Sequence, residues 1–359
     1  MFKLKESGAL IGQSPKIGII QRSGFANGLY GAGARVFLDR CLEHHGFKIS
    51  RVVGVSAQSF SVTLQSIGLL EEIAQAWLDL AKEDIYSFDK WGLLLNPIKF
   101  LRKWPAILDN TPLRNYVENQ IKGHEDEIFS DKAIPFDIIA TDISADKNYC
   151  HFFSNTPENK NIILDICMAS ATLVPWFKPV MLNIGGKRLL LADGAFSNDM
   201  PISRLIEYDC NVIFVVDYYG GVPGFNHEGE PPWHESTSRS LQVVVDDNSR
   251  LRMEATERMN REVEEFNKTE ARLGSYNFPT KVLREMRQNL NIANEKVEIV
   301  HIQNPTKPNH IGFTEFNNKT KVSLVARGYY HAAQKMQELG FDIEPVLNMP
   351  FRKKLEFPI

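Results

Sequence analysis

Ser56 stands in the run Arg51-Val52-Val53-Gly54-Val55-Ser56-Ala57-Gln58-Ser59-Phe60. A β-branched apolar stretch stops at Gly54, the serine follows two residues later, and helix-forming residues come next. A strand–turn–helix of this kind lifts a serine hydroxyl above a sheet with a helix N-terminus behind it, as in a nucleophile elbow. The full pattern is Gly-x-Ser-x-Gly, and Gln58 takes the last place here. An ordinary helix N-cap after a strand accounts for the same residues equally well. A second Gly-x-Ser, Gly12-Gln13-Ser14, runs into Pro15 with no strand before it and no helix after it.

Acyl transfer needs a serine on a sharp turn, a base beside it, and backbone donors for the developing oxyanion. The donors have a candidate in the glycine-rich stretch Ser23–Gly33, with Gly24, Phe25, Ala26, Asn27 and Gly28 at its start. Its unhindered N–H groups can converge on one point. No Gly-x-Gly-x-x-Gly and no Gly-Lys-Ser/Thr is present, so dinucleotide and nucleotide phosphate loops are poor readings. A plain strand-to-helix connection is the simpler one. The base is open at this level. His301 and His310 follow the serine, as a triad in the α/β-hydrolase order requires. Asp193 ends an apolar run and precedes Gly194, a place where aspartates usually serve turns.

The elements that must position these groups alternate. Apolar strands are expected at 16–21, 49–55, 136–143, 149–154, 180–184, 188–192, 211–217 and 297–302. Gly185-Gly186 turns the hairpin 180–192. Helices are expected from the end of the glycine loop to Gly46, over 57–67, 69–81, from Asn110, and over 162–171, 201–208 and 320–339. Strand–helix alternation with short links implies a mainly parallel sheet in a three-layer α/β/α sandwich. The span 219–294 reads as a polar, mostly helical insertion in one domain of 15–340, with 341–359 as a tail. Phe88–Leu108 mixes large apolar and basic residues. A core-packed helix pair is preferred over an interfacial element, because Pro97 and Pro105 interrupt any long amphipathic helix.

Composition narrows the function classes. A net charge of -3 in 359 residues gives no nucleic-acid footprint. No apolar run reaches membrane-spanning length. Met1–Ser7 lacks the apolar core of a signal peptide, so a cytoplasmic location is expected, with export by a route needing no cleaved signal left open. Cys41, Cys150, Cys167 and Cys210 form no Cys-x-x-Cys and read as buried free thiols, not zinc ligands. Asp137, Asp142 and Asp146 read as turn residues rather than a calcium cluster.

The order and spacing of these motifs resemble the patatin-like phospholipase family. The resemblance runs from about Lys16 to Asp217 and continues more faintly to about residue 338. The family's Asp-Gly-Gly-Gly-x-Arg-Gly loop, Gly-x-Ser-x-Gly elbow and late Asp-Gly-Gly/Ala correspond to Arg22–Gly28, Gly54–Gln58 and Asp193-Gly194-Ala195. Asp109–Leu113, Met168–Ala171 with Pro175–Pro179, and Asn198–Pro201 resemble its flanking stretches. The resemblance implies a Ser56–Asp193 dyad without histidine, metal or cofactor, acting on phospholipid or another acyl ester, with peripheral membrane contact for which Trp91–Trp104 is the candidate segment. A catalytically weak patatin-fold protein that binds lipid or a protein partner is the alternative. The chain departs from the family at Arg22, Ser23, Phe25, Asn27 and Gln58. If the loop backbone needs a positive φ at Phe25, the strain is on the order of 1–2 kcal/mol.

Overall fold

The computed structural model describes residues 15–87, 106, 108–147, 149–218, 233–275, 279–290, 295–304 and 317–350. Among these, eight strands form one mixed sheet. They are β1 (Ile17–Gln21), β2 (Ile49–Val55), β3 (Phe136–Asp142), β4 (Cys150–Ser154), β5 (Val180–Ile184), β6 (Lys187–Asp193), β7 (Val212–Asp217) and β8 (Glu298–Gln303). The path runs β5-β6-β3-β2-β1-β7-β8, with β4 also paired to β3. The β3-β2-β1-β7-β8 portion is parallel. β1, β3 and β7 are buried at every position, the mark of strands covered on both faces.

The helices that bear on the site and its support are α1 (Phe25–His44), α2 (Gln58–Gln65), α3 (Leu70–Asp79), α4 (Thr111–Ile121), α5 (Ile163–Ser170), α6 (Ala195–Asn198), α7 (Ile202–Glu207), α8 (Trp233–Gly274), α9 (Thr280–Asn289) and α10 (Asn318–Glu338). One face of the sheet packs on α1, α3 and α10 through Leu29, Phe37, Trp77 and Leu324. The other packs on α7 and α8 through Ile202, Leu205 and Met253. The result is the expected α/β/α sandwich.

The helix pair α1–α10 shows why glycines crowd the region after β1. A Cβ on Gly33 would lie 1.9 Å from the Val325 carbonyl oxygen, and one on Gly328 would lie 1.9 Å from that of Tyr30. The two backbones touch, which only glycine permits. Ser23–Gly33 is therefore not a long loop. The helix starts at Phe25, and Gly28, Gly31 and Gly33 sit within it. Composition suggested a loop because glycines required for helix packing look the same as glycines required for turns.

Most other expectations hold within a residue or two. Gly185 and Gly186 both have positive φ (58 and 78°), as a tight hairpin turn requires. β6 extends one residue further than expected, so Asp193 is its last strand residue. The four cysteines are free, with Cys150 only half-buried. Asp137 is paired with Arg51 and Arg204, and Asp142 accepts from the Ser144 hydroxyl in its turn. Residues 88–105 of the Phe88–Leu108 segment lie outside the described residues. No helix among the described residues is long and apolar enough to cross a membrane.

Candidate active site

Sheet register brings two strand ends together. β4 occupies one edge of β3 over Asp137–Thr141, so β2 and β6 must share the other edge. Val55, the last residue of β2, pairs with Ile139, and Asp193, the last of β6, pairs with Ala140. β2 runs parallel to β3 and β6 antiparallel, so their C-terminal ends meet head-on. Ser56 follows Val55 at that junction, and its Oγ donates to Asp193 Oδ2 at 2.5 Å.

The elbow is strained and braced. Ser56 has φ 60°, a region that costs a non-glycine residue on the order of 1–2 kcal/mol. Its N–H donates to Ser170 Oγ at 2.9 Å, so α5 holds the turn from behind. Gly54 lets α2 fold back over β2: a Cβ there would lie 2.6 Å from Val62 Cγ2 and 2.8 Å from the Gln58 carbonyl.

Asp193 is fixed on every side. Its N–H donates to Thr172 O at 2.8 Å, and its carbonyl accepts from Thr141 Oγ1 at 2.7 Å. The second carboxylate oxygen accepts the Ala195 N–H at 2.9 Å. Gly194 follows because a Cβ would sit 2.3 Å from the Ile139 carbonyl oxygen. Asp193 is 2% exposed. Burial, opposed by the bonds from Ser56 and Ala195 and aided by the nearby Asp199 carboxylate, pushes its pKa from 3.8 up to about 7.

The donor region lies alongside. Gln21 of β1 pairs with Gly54 of β2, so the turns that leave these strands emerge one strand spacing apart, ~4.8 Å. Gly24 makes the first turn alone, at φ 108° and ψ 146°, and α1 begins at the next residue. Phe25 is helical, so the strain expected there does not arise. Gly28 N–H is bonded to Gly24 O, as the first rung of the helix ladder. The backbone N–H groups of Phe25, Ala26 and Asn27 precede that rung and have no intrahelical acceptor. They sit at the positive end of a 20-residue helix, which favours an anion.

Of the two candidate bases among the described residues, Asp193 meets Ser56 and His301 does not. His301 lies on β8, where it pairs with Val215. That is three strands from β2, about 14 Å at the usual strand spacing. His310 is outside the described residues. Ser170 and Asp199 stand in stretches that carry the family resemblance, but nothing in the chain around them assigns either a role. Asp199 Oδ1 accepts the Ser23 N–H at 2.8 Å, and its Oδ2 accepts from Arg22 at 2.7 Å. Asp217 also pairs with Arg22. Both acids are buried at strand or helix ends, where sequence alone suggests a cap.

A family model, that of the patatin-like phospholipases, matches residues 22–206, more than half of the chain. The chain belongs to the patatin-like phospholipase family. No curated protein matches it. Among solved structures it is similar to VipD from Legionella pneumophila, at 12% identity over 91% of this chain and 67% of that one, with a TM-score of 0.35.

Of the departures from the family pattern, Arg22 and Asn27 make hydrogen bonds of their own. Arg22, basic where the family is acidic, is held by Asp199, Asp217 and the Ser249 hydroxyl of α8. Asn27, in place of the family's arginine, donates from Nδ2 to Ser23 O and accepts the Tyr218 N–H at Oδ1, tying the start of α1 to the end of β7. Gln58, in place of glycine, lies over Gly31 of α1, where a Cβ would approach its Nε2 to 3.3 Å. Among the described residues neither polar atom of the buried Gln58 side chain has a hydrogen-bond partner. The helix α8 crosses this end of the sheet, and Arg252 donates to the Ser197 carbonyl at 2.9 Å, four residues past Asp193.

Proposed function

We propose that this family member is a serine acyl hydrolase of lipid esters, using Ser56 as nucleophile and Asp193 as base. The observation that carries the reading is the 2.5 Å bond from Ser56 Oγ to Asp193 Oδ2 beside the N-terminus of α1. A carboxylate at its ordinary pKa is a weak base for a hydroxyl. Burial raises its basicity to near neutrality, where general-base catalysis is most effective.

In the proposed reaction, Asp193 Oδ2 takes the Ser56 proton as Oγ bonds to the ester carbonyl carbon. The oxyanion meets the backbone N–H groups of Phe25, Ala26 and Asn27 at the start of α1. Asp193 returns the proton to the leaving alkoxide, which departs as the alcohol and leaves an acyl-serine. Water then attacks with its proton passing to Asp193, Ser56 recovers that proton, and the carboxylic acid is released. Gly54 and Gly194 admit the close backbone contacts that keep the two side chains in register.

The test is the release of free carboxylic acid from glycerophospholipids and simple acyl esters by the purified protein. Ser56→Ala and Asp193→Asn should each remove the activity. Undiminished hydrolysis by either folded variant contradicts the dyad.

A further inference from the structure

The base and the oxyanion donors stand on β6 and β1, which β3 and β2 separate in the sheet. One buried side chain, Asp199, joins the two segments directly. It follows α6, the single helical turn that begins two residues after Asp193. That turn is a firm spacer. Asn198 N–H donates to Gly194 O at 3.0 Å, and Thr141 Oγ1 lies 2.7 Å from Asp193 O and 2.9 Å from Ser197 Oγ.

Both oxygens of the Asp199 carboxylate are engaged on the donor side. Oδ2 accepts from Arg22 Nε at 2.8 Å and from its Nη2 at 2.7 Å, while Oδ1 accepts the N–H of the next residue, Ser23, at 2.8 Å. Asp199 thus grips a side chain and the adjoining backbone together. The guanidinium is itself held from outside, by Asp217 at the end of β7 and by Ser249 Oγ of α8 at 3.1 Å. Its two contacts to Oδ2 fix the carboxylate plane, so that Oδ1 aims at the Ser23 N–H. Gly24 makes its turn one residue later, and α1 starts at Phe25.

We propose that Asp199 is a positioning residue for acyl transfer: it holds the Ser23–Gly24 turn, and with it the oxyanion donors, at a set distance from the Ser56–Asp193 dyad. The proposal rests on the hydrolase reading of Ser56. Donors that drift from the place where the oxyanion forms lose their value in the transition state, with little effect on binding of the ester.

The experiment measures kcat and KM for a simple acyl ester, and inhibition by a trifluoromethyl ketone that forms a tetrahedral adduct with the serine. It compares the wild type with Asp199→Ala and Asp199→Asn. Asp199→Ala should lower kcat about 100-fold, the usual cost of a small misplacement. KM should stay within about twofold, and the ketone should weaken in step with kcat/KM. Asp199→Asn keeps an oxygen for the Ser23 N–H but loses the charge that roughly doubles such a bond, so it should recover about tenfold of the lost kcat. If Asp199→Ala does not fold, the double variant Arg22→Met/Asp199→Ala removes the stranded guanidinium as well and carries the same expectation. Wild-type kcat in a folded variant lacking the carboxylate, a loss confined to KM, undiminished ketone binding, or equal losses in Asp199→Asn and Asp199→Ala overturns the positioning role and leaves the hydrolase reading intact. A wild type that neither hydrolyses esters nor forms an adduct at Ser56 overturns both.

Discussion

At the residue scale the site is a balance of costs held in place by its surroundings. Asp193 has a folded-state pKa of about 7, raised chiefly by desolvation. In the proposed reaction its ionised form is the base, so kcat/KM should fall as pH drops through about 7, and a pH–rate profile checks this. The linked effect on stability has the opposite sense. Between pH 3.8 and about 7 the folded state holds a proton that the unfolded state has lost, so stability declines as pH rises through that window. Asp193→Asn should accordingly stabilise the protein, on the order of a few kcal/mol at about pH 8 and little below about pH 4, measured by denaturant unfolding. An equal effect at both pH values would contradict the assignment. Gln58 carries a second cost. With both polar atoms buried and unpartnered among the described residues, Gln58→Leu should stabilise by about 1–3 kcal/mol. A fall in the melting temperature would mean that the amide has a partner after all.

At the element scale the site depends on contacts too close for a side chain. Gly194→Ala would drive a Cβ towards the Ile139 carbonyl and displace the end of β6, and with it Asp193. We expect a loss of about 1–3 kcal/mol in stability, with a larger fractional loss of turnover. Activity equal to the wild type would show that the register of β6 on β3 does not set the dyad. This scale also separates what the sequence disclosed from what it withheld. Ser56 was legible because apolar strand, glycine and helix formers follow one another in the chain. Asp193 was legible only as a candidate, because its partner is 137 residues away and their meeting is a matter of register on β3. Phe25 and Asn27 were read as loop residues because packing glycines resemble turn glycines. The role of Asn27 as a clamp between Ser23 and Tyr218 depends on β7 and has no local signal.

At the scale of the whole molecule, the family match ends at residue 206, but the sheet does not. β1 has β7 as its outer neighbour, and α1 has α10 against its glycine face. A fragment ending at residue 206 leaves Ile17, Ile19 and Leu29 without β7 and α10, and should not fold cooperatively; a sharp unfolding transition for that fragment would contradict this account. The polar segment α8 reaches both sides of the site, through Ser249 to Arg22 and through Arg252 to Ser197. Its charge pattern made it legible as helical, whereas where it docks follows from single hydrogen bonds to partners distant in sequence.

The central claim is that Asp193 activates Ser56. Fluorophosphonate labelling, with the modified residue located by mass spectrometry, tests it most directly. The account predicts a single adduct on Ser56 in the wild type and its loss in a folded Asp193→Asn protein. Undiminished labelling of Ser56 without the Asp193 carboxylate, or an adduct on another residue only, would contradict it.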